Sequence, residues 1–137
     1  MQQQPTKNSN RTSLRLPRGR AYDPWEHANA IGLQVIVRPI RTANELWLPE
    51  HNTIVIRSTL RSAHQRVALT HGIGHAELAH EDDRPKHEHQ ADRYACLYLI
   101  DPLELRELRA WSDDPWKIAG ELGVTQRLLD AFLRPAG

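Results

Sequence analysis

His71 and His75 stand four residues apart, inside a stretch whose small and apolar residues recur with helical spacing. His64, Ala68, His71, His75, Leu78 and Ala79 follow i, i+4, i+7 logic, which predicts a helix near 60–80 carrying them on one face. At about 100° per residue, side chains four apart differ in direction by roughly 40° and lie one turn apart. Two imidazoles so placed can chelate one ion, and a chelating pair dictates which face of its helix turns inward. A zinc site of the catalytic type takes three protein ligands at about 2.0–2.2 Å and leaves a fourth position to water. The third ligand has to come from a neighbouring element.

Glu88 is the best candidate for it. The turn Glu81-Asp82-Asp83-Arg84-Pro85 breaks the histidine helix and is short enough to fold a second helix, near 87–100, back along it. Glu88 opens that helix. Ala91 is small enough to let the two helices approach, and Asp92, one turn after Glu88, could accept the free ring N–H of a ligand histidine, as metal-bound imidazoles require. Six of the eight histidines lie between His64 and His89, so alternatives need weighing. His87 and His89 flank Glu88 and could replace it. His80 reads as a helix-end residue, where a cationic imidazole is favoured, and His64 as a core or solvated residue.

Upstream, Asp23-Pro24 opens a short helix that Gly32 ends. Residues 33–37, 45–48 and 53–57 are short β-branched or aromatic runs with tight connections, which predict a small antiparallel sheet of about three strands. Downstream, Asp101-Pro102 and Asp113-Asp114-Pro115 start two further helices, and Gly123-Val124-Thr125 separates the second from a last one running to Arg134-Pro135. The predicted fold class is therefore α+β, a small sheet packed on helices with the His71–His75 helix at the centre. Tyr94, Tyr98 and the four tryptophans read as packing residues, and Cys96 as a small buried hydrophobe.

The stretches Thr70-His71-Gly72-Ile73-Gly74-His75, Glu88-His89-Gln90-Ala91-Asp92-Arg93-Tyr94-Ala95 and Leu99-Ile100-Asp101-Pro102 resemble the ImmA/IrrE family of small zinc metallopeptidases, over about residues 22–133. Members carry HExxH, a short gap, then a Glu-x-x-Ala-Asp/Asn stretch. The resemblance implies a minimal zincin-like fold, zinc as cofactor, His71, His75 and Glu88 as its ligands, and a protein partner: a helix-turn-helix repressor that the peptidase cleaves, an anti-repressor role in phages and mobile elements.

One position departs from the pattern. The Glu after the first histidine is the general base that activates the zinc-bound water, and here that position is Gly72. Glu77 and Glu81 point away from the histidine face, and Asp92 is already wanted by a histidine. The expectation is little or no peptidase activity, recovered on Gly72→Glu. Three readings stay open: a pseudo-peptidase that keeps its metal and binds a regulator, an introduced change at position 72, or chemistry other than proteolysis.

Charge bears on the remaining function classes. Residues 1–20 carry five basic and no acidic side chains, while the remainder has 13 basic against 17 acidic. A body of that sign binds nucleic acid poorly, so phosphate contacts are expected only from the basic arm, residues 1–21, which composition predicts to be disordered. Residues 22–137 read as one domain. Its last two helices resemble a helix-turn-helix in spacing, which keeps a small DNA-binding regulator as a further alternative, though only Gln126 and Arg127 would face bases. No run approaches the roughly 18 apolar residues of a membrane span, the N-terminus has no apolar leader, and a lone cysteine fits a reducing cytoplasm.

Overall fold

A computed structural model of the chain describes residues 16–135. Helix α1 (Pro24–Ala30) leads into strand β1 (Gln34–Arg38), followed by β2 (Glu45–Leu48) and β3 (Thr53–Arg57). Five helices complete the chain: α2 (Ser62–Glu77), α3 (Pro85–Leu99), α4 (Pro102–Trp111), α5 (Pro115–Leu122) and α6 (Gln126–Leu133). The α+β class and the central position of the histidine helix hold.

The helix starts follow local chemistry. α1, α3, α4 and α5 each have proline in the first turn, where its missing N–H costs nothing. Asp23, Asp101, Asp114 and Thr125 cap α1, α4, α5 and α6 by accepting from backbone N–H groups of the first turn. Helix α2 ends differently. Ala79 adopts the left-handed conformation, with φ of 57°, and the His80 N–H donates to the His75 carbonyl at 2.9 Å. This turn folds His80 back against the helix it follows.

The sheet is mixed, not wholly antiparallel. β3 lies between the other two strands, antiparallel to β2 (Trp47 opposite Ile54) but parallel to β1 (Val35 opposite Ile54). The expectation assumed that consecutive strands pair. Instead the chain reverses twice, and the most apolar strand takes the centre, where Thr53, Ile54, Val55 and Ile56 are all buried. β2 is left at an edge. Its residues alternate between faces, so Glu45 and Trp47 share one face, the one turned toward α2.

Two apolar clusters build the core. One joins α1 and the sheet to α2 through Ala28, Ile31, Ile54, Ile56, Leu69 and Ile73. The other joins α3 to α4, α5 and α6 through Leu99, Ile100, Leu105, Leu122 and Leu128. α2 and α3 meet between them at Gly74. A Cβ there would come within 3.1 Å of Tyr94, so glycine is what lets the helices touch. Cys96 is buried, as expected, and desolvation pushes its thiol up to about 12. Of the tryptophans, Trp47 packs against the sheet-side core. Trp111 and Trp116, by contrast, are 89% and 74% exposed, which corrects their reading as packing residues. They flank the α4–α5 turn, beyond the reach of either cluster.

Most of the predicted arm lies outside the described residues. Its last segment, 16–21, packs on the domain: Leu16 joins the helical cluster, and Arg18 donates to the carbonyls of Leu97 and Ile100. Arg66 of α2 reaches both sides, donating to the Gly19 and Tyr22 carbonyls and, at 3.0 Å, to that of Gly123. Among the described residues no helix is long and apolar enough to cross a membrane.

Candidate metal centre

The residues of the site come from five elements. α2 carries His71 and His75, both buried, with ring centroids 4.7 Å apart. Their Nε2 atoms turn toward the first turn of α3. His75 Nε2 lies 2.7 Å from Glu88 Oε2, and His71 Nε2 lies 3.4 Å from Glu88 Oε1. The two histidines and Glu88 expected from sequence are thus brought together. They line a cavity of about 730 Å³, with Glu45 and Trp47 of β2, the turn at residues 81–83, Asp92 of α3 and Arg127 of α6 on its walls.

The outer nitrogens are held by Glu45, which the sequence did not single out, and by His80, which it read only as a helix-end residue. Glu45 Oε2 lies 3.0 Å from His71 Nδ1. This is the acceptor role expected of Asp92. Asp92 instead faces the inner nitrogen, with Oδ1 3.4 Å from His71 Nε2, and is gripped by Arg127 through two hydrogen bonds of 3.0 Å. The spacing that puts Asp92 one turn after Glu88 places both carboxylates on the same side of His71, so Asp92 cannot reach Nδ1. Glu45 could have been suspected from sequence: it is a charged residue two positions from Trp47, on the strand face that must turn inward.

His80 is buried beside His75, with the two Nδ1 atoms 2.8 Å apart. His80 Nε2–H donates to Gln90 Oε1 at 2.7 Å, so in the neutral ring His80 Nδ1 is bare and accepts from His75 Nδ1–H. That leaves the inner nitrogen of His75 without a proton and facing a carboxylate oxygen at 2.7 Å. Two acceptors so close need a cation or a proton between them. This is the observation by which the donor set fits a metal ion.

The charges agree. Burial alone would lower the His71 pKa, but the hydrogen bond that its ring N–H donates to Glu45 and the attraction of Glu45, Glu88 and Asp92 outweigh it, and the net shift is upward. His75 shifts downward, through burial and then repulsion by His71. Glu45, His71 and His75 also each offer a ligating atom within 4.8 Å of the others. Because the Glu45 oxygen meets the nitrogen of His71 that is turned away from Glu88, we read Glu45 as the orienting carboxylate and Glu88 as the inner one.

Gly72, as expected, offers no carboxylate at the base position, and it faces the sheet. His64 is exposed on the cavity wall. His87 stacks on His80 at 4.0 Å and bonds Asp82 at 2.7 Å, outside the inner set.

A histidine pair on one helix, a carboxylate opening the next and a small sheet whose edge strand walls the cleft together define a domain of the metallopeptidase type. The chain belongs to the ImmA/IrrE family: the model of the IrrE N-terminal-like domain matches residues 28–134. It is similar to the radiation response metalloprotease IrrE of Deinococcus radiodurans, 38% identical over 64 residues. That match covers 47% of this chain and 20% of the relative, so it spans a fifth of that protein's length.

Proposed function

We propose that this domain holds a zinc ion through His71, His75 and Glu88 and uses the cleft beside it to bind a segment of a protein partner, a helix-turn-helix repressor or related regulator. The observation that carries this reading is the convergence of the two inner imidazole nitrogens on the Glu88 carboxylate. The similarity to a metalloprotease supports peptide as the ligand of the cleft. A zinc ion held there would supply Lewis-acid polarisation of a carbonyl and a water of lowered pKa.

The chain's own groups divide the remaining work. Glu45 and His80 fix the two rings with their inner nitrogens available. Arg127 holds Asp92 at the edge of the site and places a guanidinium on the cavity wall. No carboxylate stands at position 72 to take the proton from a nucleophilic water, and this favours binding of the partner over fast hydrolysis. Arg127, one of two side chains that a DNA-reading last helix would need, is engaged with Asp92, so the protein-binding reading accounts for that helix better.

The test is metal content and peptide cleavage, measured together. The purified chain should carry one zinc, His71→Ala should carry none, and both should hydrolyse a cognate regulator poorly. Absence of stoichiometric metal would overturn the site, and robust cleavage by the unmodified chain would overturn its impairment.

A further inference from the structure

The sheet has a second face that neither core cluster uses. Helices α1 and α2 cover the first, where Ile54 and Ile56 meet Ile31, Leu69 and Ile73. Side chains alternate along a strand, so Ile36 of β1, Val55 of β3 and Leu46 of β2 point the other way, and the register sets them side by side in one row. None of the three belongs to either cluster. Val55 is buried between its neighbours, while Ile36 and Leu46 are half-buried.

The next row on this face is charged. Arg38 lies opposite Arg57 in the parallel β1–β3 pair. Like charges directly opposite each other destabilise a strand pair, and nothing in the row offsets them. The β2 residue beside Arg57 is the neutral Asn44, whose carbonyl accepts from the Arg57 N–H at 2.9 Å. The carboxylates of this region are elsewhere. Glu45 points to the inner face, where it meets His71 at 3.0 Å, and Glu50 lies in the turn at the far end of β2. Arg41, in the loop after β1, and Arg61, which precedes α2, add two exposed guanidinium groups at the arginine end of the sheet. Among the described residues none of these four arginines has an ion-pair partner. Arg38 donates to the Val37 carbonyl at 2.8 Å, and Arg57 to Thr59 Oγ1 at 3.0 Å.

We propose that this face is a docking surface for an acidic segment of a protein partner, with carboxylates set against Arg38 and Arg57 and an aliphatic side chain against the Ile36–Val55–Leu46 row. Charge complementarity carries the choice of occupant. A bound acid relieves the repulsion that the arginine pair carries when free. Guanidinium groups grip carboxylates and phosphates alike with two parallel hydrogen bonds, but the strand residues of this face include no aromatic ring on which a base could stack. Residues 21–137 also carry 13 basic against 17 acidic side chains, a balance that repels a polyanion. A peptide that mixes acidic and apolar residues suits arginines beside an aliphatic row. The proposal is independent of the metal-site reading, because the face looks away from α2, which carries His71 and His75.

The experiment uses the full chain and short labelled peptides of alternating Glu and Leu, of Glu and Ser, and of Lys and Leu. Fluorescence anisotropy reads binding at low and high salt. The Glu–Leu peptide should bind, and added salt should weaken it. The Glu–Ser peptide should bind less, because the apolar row goes unused. Arg38→Ala combined with Arg57→Ala should weaken Glu–Leu binding by about tenfold without lowering the melting temperature, since the substitution removes a repulsion. Arg38→Glu combined with Arg57→Glu should lose the Glu–Leu peptide and take up Lys–Leu instead. Where that reversed pair does not fold, the alanine pair decides alone. Binding that survives the alanine pair, as it would if the basic residues 1–15 were responsible, would overturn the proposal. So would a labelled DNA duplex that binds tighter than the Glu–Leu peptide and is lost in the alanine pair, which would assign the face to phosphate.

Discussion

Nδ1 of His75 and Nδ1 of His80 lie 2.8 Å apart, and only one of them can carry the proton of that bond. Gln90 decides which, because its oxygen accepts from the other nitrogen of His80. An imidazole thereby does the work more often given to a carboxylate, and it follows its ligand by only five residues because Ala79 turns the chain back.

His80→Ala should weaken zinc binding by about ten-fold or more, since it removes the acceptor that keeps the His75 proton off Nε2. Gln90→Leu should act in the same direction but less, because the His80 ring remains. Chelator competition measures both. Zinc affinity unchanged in His80→Ala would show that the contact is packing alone.

Glu88→Gln should cost more zinc affinity than either outer change, because it removes the inner anion. Zinc binding should also strengthen as pH rises above the ordinary imidazole value of 6.5. The His71 pKa is raised, so a proton competes with the metal to a higher pH than it would at a free imidazole. Titrating affinity against pH checks this; affinity that falls across that range would contradict it.

Gly74→Ala should destabilise the domain by about 1–2 kcal/mol, despite the gain of up to about 1 kcal/mol that alanine brings to a helix. The added methyl would press on three carbons of the Tyr94 side chain at 3.1–3.2 Å. Chemical denaturation measures the difference. A more stable variant would mean that α2 and α3 separate without cost.

His27 predicts an acid sensitivity remote from the metal. Desolvation lowers its pKa from 6.5 to about 4, so the folded chain keeps it neutral, with Tyr22 O–H donating to its Nδ1 at 2.7 Å. Its contribution is fully present above 6.5 and is lost as pH falls toward 4, because the unfolded chain takes up the proton first. The loss is at most about 3 kcal/mol. His27→Gln should flatten that part of the stability profile, and an unchanged slope would assign it elsewhere.

The sequence by itself determined what neighbours along the chain can determine. Proline and aspartate mark the helix starts, the β-branched or aromatic runs mark three strands, and a spacing of four on α2 brings His71 and His75 onto one face with Glu88 one short turn away. These are consequences of helical and strand periods, which local residues set. Only the tertiary structure decided the rest. The apolar β3 won the centre of the sheet, which made one strand pair parallel and sent Glu45 to His71 across 26 residues of chain. Arg127 took Asp92 from 35 residues away. Such contacts depend on how whole elements pack to bury Ile54, Leu99 and their neighbours, and no period in the sequence encodes that.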